Sequence, residues 1–586
     1  MKYRALVIIW LSIFTLSYHF CCAQVAKPTD WPEIAQRPWY QGIVFGKSVF
    51  IYLDSRQQDA GYFFIADKSI PDIYQLKIKK RKQDIRAIQF RIDGKKIRTK
   101  FEGTVQNDTI AGRVKASRRN AHRLLIPAEL PVSLVLEKPL ALPALVSRYI
   151  SPVFKSVGVL ENISYGAANG YYTSMPVEAE GDFDYQQIIL DALEKMFVNP
   201  TKEALLNILN KDLASLAVTD LKGLRFDLYQ PLGDTLKKRP VLVLLHGGAF
   251  IMGDKAAPIV QELAYNFAGK GYVVAAINYR MGFNPASKQS LERSAYRSVQ
   301  DARAALRYLS YNAHTYRIDP DCIFLGGSSA GAITSLNAAF MKEEERPESS
   351  EGNIWMLQKD LGGLDESTNT YQNTYTIRAV ANLWGAVNDT NLIDREERIP
   401  VISFHGDADK IVPFGYNYPF TDLDTSWTSF IVNKLFGSQY IHRRLTNQGI
   451  RSELIIFPGS GHEPQYEADQ YGQIMDTIVT RITNFYHRAM FGFVEISGPG
   501  QVKVKAPLTL YQVPNDADLN YYWQVDGGKL IPGTLRNQAR IVWLTEGTGN
   551  ITLTLVHKNQ ANLKLDFPVT LPERIANYFP VSKRKF

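Results

Sequence analysis

The chain has 586 residues, 45% of them hydrophobic, and 67 Lys+Arg against 58 Asp+Glu for a formal charge of +9. That length exceeds the roughly 100–200 residues of one domain, and the apolar share suffices for sizeable cores, which excludes collagenous, coiled-coil and broadly disordered chains. Three cysteines, two of them adjacent at Cys21 and Cys22, exclude a disulfide-dense scaffold and a cysteine-ligated metal site.

Lys2 and Arg4 precede an apolar run from Ala5 to Tyr18, the order of an export leader. Cys21-Cys22-Ala23 sets small residues before a cut ahead of Gln24. The run is shorter than the about 20 apolar residues of a spanning helix, which favours cleavage over an anchor. Bulky Tyr18-His19-Phe20 disfavours a lipid on Cys21 or Cys22. Residues 1–23 are therefore expected to be removed, leaving a secreted, periplasmic or cell-surface protein. Its one thiol, Cys322, is expected to be buried and inert at the start of a strand.

From about Trp31 to Lys138 the apolar residues alternate with period two. Gly46-Lys47 separates Gln41–Phe45 from Ser48–Leu53, and Asp93-Gly94 separates Ala87–Ile92 from Ile97–Phe101, both hairpin signals. Residues 24–145 are expected to form an antiparallel β-domain, a meander or open barrel. They hold 22 Lys+Arg and 12 Asp+Glu, densest from Lys77 to Lys82. A solvated hairpin face is the preferred account of that run. Attraction to an anionic envelope or polysaccharide is the functional alternative. No nucleic-acid motif accompanies it. Trp39-Tyr40-Gln41-Gly42, with Phe101, Gly103, Ile110 and Gly112, loosely resembles a β-domain placed before hydrolase domains in Bacteroidetes proteins, which implies no activity.

Residues 146–220 are expected to be a helical linker or cover, with three-four apolar spacing over Tyr185–Val198 and Lys202–Leu213. Between 221 and 491 short apolar runs alternate with helical patterns. The runs are Val241–Leu245, Tyr272–Ile277, Ile323–Leu325, Ala379–Leu383, Val401–Phe404 and Leu454–Phe457. Ser294–Tyr311, Ala330–Phe340 and Tyr466–Arg488 are the helices between them. Unalternated, β-branched runs of this kind predict a mostly parallel, doubly wound α/β sheet buried on both faces. From 492 to 586 strand-like spacing returns, which predicts a β-sandwich. Ile496–Pro499, Tyr522–Val525, Gly527-Gly528 and Val542-Trp543 resemble the PKD-like, immunoglobulin-like modules of secreted Bacteroidetes proteins.

The chemistry centres on Gly327-Ser328-Ser329-Ala330-Gly331, between the strand Ile323–Leu325 and a helix. That is the context of the G-x-S-x-G nucleophile elbow of α/β-hydrolases. The glycines permit a sharp turn, and the helix N-terminus with the Ala330 amide faces developing negative charge. Ser328 competes for the role, but only Ser329 has glycines at minus two and plus two. His246-Gly247-Gly248-Ala249-Phe250, ending another strand, resembles the H-G-G-G loop of esterases and lipases. The resemblance implies an oxyanion hole formed by the amides of Gly248 and Ala249 together with Ala330. His246 itself reads as structural.

A serine needs a base, and in this fold the order is Ser, then an acid, then His. His442, His462, His487 and His557 lie late enough. His442 and His487 fall in helical patterns and His557 in the C-terminal β-region. His462 alone follows a buried strand, in the loop Pro458–His462. His405-Gly406-Asp407-Ala408-Asp409, followed by Ile411-Val412-Pro413, resembles the H-G-x-x-D-x-x-V-P acid loop of esterases. Its register matches Asp409, with Asp407 as the structural alternative. Asp301 fits the family's helix before the elbow and reads as structural.

Together these motifs resemble the carboxylesterase and acetyl-esterase branch, in secreted versions that also carry Gly253-Asp254-Lys255. The resemblance implies a Ser329-Asp409-His462 triad acting on esters, with no metal or cofactor required. An acylated polysaccharide is the substrate suggested by the setting. A peptidase on the same triad and an inert surface-binding hydrolase core are the rival readings. Met341–Thr376 is expected to cover the site. Trp384, Phe414, Tyr416 and Tyr418 are expected to line a substrate pocket, each with an ordinary packing role as its alternative.

Overall fold

The computed structural model describes residues 147–171, 173–174 and 221–572, apart from short stretches at 284–287, 353–358, 423–427, 430–431, 468–469, 503–507, 532–534 and 544–546; between 40 and 136 it describes strands. The expected leader and the expected helices Tyr185–Val198 and Lys202–Leu213 lie outside the described residues. The chain divides into two units. One comprises Met1–Ala144, Val494–Val556 and Asn562–Phe586, the other Leu145–Phe493 with His557–Ala561.

The first unit holds an eight-stranded antiparallel sheet made of two four-strand meanders. They join where Tyr40–Val44 pairs with Glu129–Leu136. The first expected hairpin closes with Val44 opposite Lys47. The second differs from expectation. Its strands continue through Asp93-Gly94 until Gly94 faces Ile97, so the Asp-Gly pair ends a strand. The same unit holds two three-stranded sheets near the C-terminus. One orders Thr509–Gln512, Gln538–Trp543 and Gly528–Ile531; the other orders Leu519–Asp526, Gly547–His557 and Asn562–Leu571. Trp543 and Tyr511 are buried and meet edge to face with ring centroids 6.2 Å apart, within the roughly 4.5–7 Å usual for aromatic pairs.

The second unit is built on an eight-stranded sheet. Its strands are β1 (Val157–Asn169), β2 (Leu221–Pro231), β3 (Arg239–Leu245), β4 (Val273–Ile277), β5 (Ile318–Ser328), β6 (Ile377–Leu383), β7 (Val401–Gly406) and β8 (Ser452–Phe457). They lie in the order 8-7-6-5-3-4-2-1. All neighbours from β4 to β8 run parallel, and β2 is antiparallel to both β4 and β1. Helices α1 (Pro258–Gly269), α2 (Lys288–Tyr311), α3 (Ala330–Phe340), α4 (Ser438–Asn447) and α5 (Tyr471–Met490) connect or follow the strands. This is the α/β-hydrolase arrangement. All residues of β3 and β4 are buried, as expected of apolar runs covered by helices on both faces.

The edge of this sheet corrects the expectation for 146–220. Val157–Asn169 is a strand, not part of a helical linker. Its pairing with β2 shifts register twice, near Leu224 and near Phe226, and Asn162 takes a left-handed φ of 57°. Those irregularities break the period-two signal that would have marked it. Met341–Thr376 also differs from expectation. Its described part is strapped to α2 rather than to the nucleophile: Arg293 donates to the carbonyls of Ser349 and Lys359, and Gln300 to those of Leu361, Gly362 and Gly363. Asp301, buried on α2, receives the Arg280 guanidinium and the Thr368 hydroxyl, and so anchors that strap.

Candidate active site

The functional side chains gather at the carboxyl ends of the parallel strands, where an open α/β sheet presents its loops. At the end of β5, Ser329 adopts φ 53° and ψ −120°, an elbow that few residues enter. Both flanking glycines are sterically required. A Cβ on Gly327 would lie 2.4 Å from the Gly331 carbonyl carbon, and one on Gly331 would lie 2.2 Å from the Leu245 carbonyl oxygen. The Ser329 amide donates to Leu383 O at 2.9 Å, which pins the turn to β6.

Ser329 Oγ lies 3.0 Å from His462 Nε2, and His462 Nδ1 lies 2.7 Å from Asp409 Oδ2. A carboxylate only accepts, so Nδ1 carries the proton and Nε2 is left to accept from the Ser329 hydroxyl. Asp409 is completely occupied. Its Oδ1 accepts from the Ile411 and Val412 amides at 2.8 and 2.9 Å. Its Oδ2 also faces His405 Nε2 at 3.2 Å. Burial pushes the Asp409 carboxyl up, but the His462 charge and the His405 and His462 hydrogen bonds outweigh it and hold it well below the usual range. Burial lowers the basicity of His462, and the Asp409 charge and hydrogen bond more than reverse that, raising its pKa above that of a free imidazole.

A second buried histidine extends this chain. His405 Nε2 faces two acceptors, Asp409 Oδ2 and Val412 O at 3.0 Å, so it must carry the proton. Its Nδ1 then accepts from the Ser438 hydroxyl at 2.7 Å, and Ser438 Oγ accepts from Asn382 Nδ2 at 3.0 Å. Every donor from Asn382 onward points toward Asp409. In the sequence His405 is marked only by its place in the acid-loop motif. The pairing with Ser438 on α4 depends on tertiary placement and has no local signal. Asp407 stands apart from the chain, accepting from the Gly459 amide at 2.6 Å and so tying the acid loop to the loop that carries His462.

The loop after β3 lies against the elbow. A Cβ on Gly247 would lie 3.3 Å from the Ser329 Cβ. Gly248 has φ 114°, and Ala249 and Phe250 have φ 50° and 63°. The Gly248 carbonyl accepts from the Ile251 and Met252 amides, which turns the loop tightly. Among the described residues, the amides of Gly248, Ala249 and Ala330 have no protein acceptor. Lys255 reinforces the loop, with its amide on Asn278 Oδ1 at 2.6 Å and its ammonium on Asp227 at 2.9 Å. Buried His246 stacks on Tyr279 at 4.4 Å and donates from Nδ1 to Gly247 O at 2.8 Å. Burial pulls its pKa down to about 4, and its Nε2 has no partner among the described residues.

A cavity opens beside Ser329. None of the four aromatics expected to line a pocket lines it. Trp384 is fully buried and packs edge to face against His462 at 6.3 Å. Phe414 packs on His405 at 5.7 Å. Tyr416 stacks on Phe436 at 4.2 Å and is 47% exposed. Tyr418 faces the Lys434 ammonium at 5.1 Å. The aromatic walls are instead Phe250, Phe283 and Phe420. Nearness to the acid loop in sequence does not fix the direction of these side chains in space. Tyr416 lies on a short strand (Tyr416–Asn417) whose pairing with Leu435–Gly437 turns it outward.

Residues 226–398 match the protein-family model described as BD-FAE. The match contains Ser329 and the loop after β3 and ends before Asp409 and His462. A probable isoprenylcysteine alpha-carbonyl methylesterase of Arabidopsis thaliana is 25% identical over 285 residues, covering 45% of this chain and 60% of that protein. The para-nitrobenzyl esterase of Bacillus subtilis is 32% identical over 138 residues, covering 21% of this chain and 26% of its own. The chain thus spans less than two thirds of the length of these curated relatives. Among solved structures, the apo form of Thermogutta terrifontis esterase 2 is 20% identical, with a TM-score of 0.33, covering 46% of this chain and 91% of that one.

Proposed function

We propose that this chain is a serine carboxylic ester hydrolase working through an acyl-enzyme. The observation that carries the reading is the hydrogen-bond chain from Ser329 through His462 to Asp409, set beside three backbone amides without protein acceptors. Ser329 Oγ attacks the ester carbonyl carbon while His462 Nε2 takes its proton. The oxygen of the tetrahedral intermediate rests on the amides of Gly248, Ala249 and Ala330, where one such donor is worth about 3–4 kcal/mol in the transition state. Asp409 fixes the tautomer and stabilises the imidazolium. His462 returns the proton to the departing alcohol. Water, deprotonated by the same imidazole, then frees the acid and restores Ser329.

The test is covalent labelling by a fluorophosphonate, with hydrolysis of p-nitrophenyl acetate and butyrate measured against peptide anilides. The native chain is expected to label and to cleave the esters, and Ser329→Ala to do neither. Faster anilide cleavage would mean a peptidase. Absence of labelling in the native chain would leave only a binding role for the fold.

The same proposal includes export and a polysaccharide setting. The leader-like residues 1–23, the basic region 24–145 and the PKD-like region 492–586 support an extracytoplasmic enzyme whose ester is carried by a polysaccharide or lies near an anionic envelope. Mature protein recovered outside the cytoplasm and starting at Gln24 is the expected result. Recovery of an uncut, cytoplasmic chain would refute it.

A further inference from the structure

A groove of about 550 Å³ lies along α1, within the second unit. Its size falls within the roughly 300–1,000 Å³ of small-ligand sites. Glu262, Tyr265, Asn266 and Gly269 form one wall. Residues at this spacing share one helix face, here over about 10 Å. Phe154 and Lys155, from the chain that enters β1, belong to the other wall. That wall is fixed to α1 by the Val153 and Phe154 amides, which both donate to Gly269 O, at 2.9 and 3.0 Å. Edge contact with Tyr229 at 5.1 Å steadies the Tyr265 ring, which is still 49% exposed.

Contacts connect this groove to the loop that carries His462. The Tyr471 hydroxyl donates to the Glu262 carboxylate. Tyr471 packs on Tyr466 with ring centroids 5.8 Å apart. Tyr466 ends the one-turn helix Pro464–Tyr466 just after His462, with its amide on Glu463 O at 3.0 Å. Among the described residues the exposed large aromatic side chains are five tyrosines, and Tyr265, Tyr466 and Tyr471 are three of them. Single exposed rings need no explanation. Three that lead from the His462 loop to a groove form a track. The alcohol half of an ester must lie where His462 can return a proton to it, so the track starts on the alcohol side.

The chemistry of the groove selects its ligand. The Tyr265 and Phe154 rings bury apolar C–H surface. Asn266, Glu262, Lys155 and the Tyr265 hydroxyl offer donors and acceptors beside those rings. One ammonium and one carboxylate leave the lining without net charge, which disfavours an anionic chain. The core of a protein interface is depleted of Lys and Glu, which disfavours a second copy. A sugar ring has the matching form, apolar on its faces and hydroxylated at its rim. We infer that the groove is a carbohydrate-binding site apart from the triad, and that it holds a neutral polysaccharide chain whose acylated unit reaches His462 along the tyrosine track. The delivery of the ester rests on the esterase reading above; the binding of the chain does not.

The experiment is affinity electrophoresis of the full chain in gels of unacylated arabinoxylan, galactomannan and polygalacturonate, comparing the native protein with Tyr265→Ala and Tyr265→Phe. Tyr265→Ala is expected to weaken binding of a neutral polymer about tenfold, and Tyr265→Phe, which keeps the ring, to hold it within about threefold. Lys155→Ala, on the opposite wall, is expected to weaken it severalfold and decides the matter if Tyr265→Ala does not fold. On the acetylated form of the same polymer, kcat/KM relative to p-nitrophenyl butyrate is expected to fall about tenfold in Tyr265→Ala, with rates normalised to fluorophosphonate-labelled sites. Neutral polymers that the native chain does not bind, or binds as well after both substitutions, overturn the site. So does a loss confined to polygalacturonate, or a native dimer that Tyr265→Ala splits, which would make the groove an interface between copies. Weakened binding with an unmoved rate ratio overturns the delivery to His462. Binding that depends on Tyr265 in a chain that neither labels nor hydrolyses any ester overturns the esterase reading and leaves the groove standing.

Discussion

The dipeptide His-Gly recurs at two strand ends, following β3 as His246-Gly247 and closing β7 as His405-Gly406, and both imidazoles are completely buried. The two rings nevertheless do different work. His405 uses both nitrogens, one on Asp409 and Val412 O, the other on Ser438. His246 bonds only to the carbonyl of its own neighbour and stacks on Tyr279, with Nε2 unpartnered among the described residues. His405 belongs to a directed polar chain that converges on Asp409, the acid that orients His462. His246 fills space beneath a loop whose backbone is the working part. A shared sequence motif at a strand end therefore reports the local turn, and only tertiary partners decide whether the side chain enters the chemistry.

The largest way to test that contrast is to sever the polar chain at its centre. Asp409→Asn is expected to lower kcat by about 10⁴-fold, because the amide no longer holds His462 in the productive tautomer. The sign of the pH effect is fixed by the same contact. Activity needs neutral His462, whose pKa Asp409 raises, so activity falls as pH drops through that raised value. In Asp409→Asn the acid limb of the kcat/KM profile should move to lower pH. An unshifted limb would mean that Asp409 does not set the basicity of His462.

The next effect separates the two histidines. His405→Phe keeps a ring in place but leaves Asp409, Val412 O and Ser438 without their partner. A loss of about 1–3 kcal/mol in stability is expected for the abandoned buried groups. A roughly tenfold fall in kcat should accompany it. Asp409, with one donor fewer, becomes more basic and supports imidazolium more strongly, so here the acid limb moves to higher pH. Chemical denaturation and a pH-rate profile measure both. His246→Phe retains the stack on Tyr279 and surrenders one short-range bond. Its expected cost is below about 1 kcal/mol, with no movement of the pH profile. Equal pH shifts in the two variants would erase the distinction drawn between the loops.

Much of the fold was legible because buried parallel strands have a one-dimensional signature: the unalternated runs at Val241–Leu245 and Val401–Phe404 lie within observed strands. The elbow was legible for a steric reason. The space at Gly327 and Gly331 admits no Cβ, so the chemistry is written as a fixed glycine spacing. His462 was found by position in the strand order. Edge strand β1 was hidden because its bulged pairing disrupts periodicity. The cavity was hidden for a different reason. Leu435, Phe420, Ile333 and Phe250 are ordinary apolar residues far apart in the chain, and nothing local marks their convergence.

Ala249, Phe250, Ser329, Trp384 and Glu463, which lie in or beside the loops that carry the site, all have left-handed φ although none is glycine. Such conformations cost on the order of 1 kcal/mol or more each and persist where surrounding structure enforces them. Heat tolerance and turnover should therefore pull these positions in opposite directions in a directed-evolution experiment. Glycine at 249, the place where its family resemblance expects one, relieves the backbone at small entropic cost. Ala249→Gly is expected to change the melting free energy by less than about 1 kcal/mol, the smallest effect named. Selection for thermal survival should enrich it, while selection for rate should retain the residue that keeps the oxyanion loop stiff.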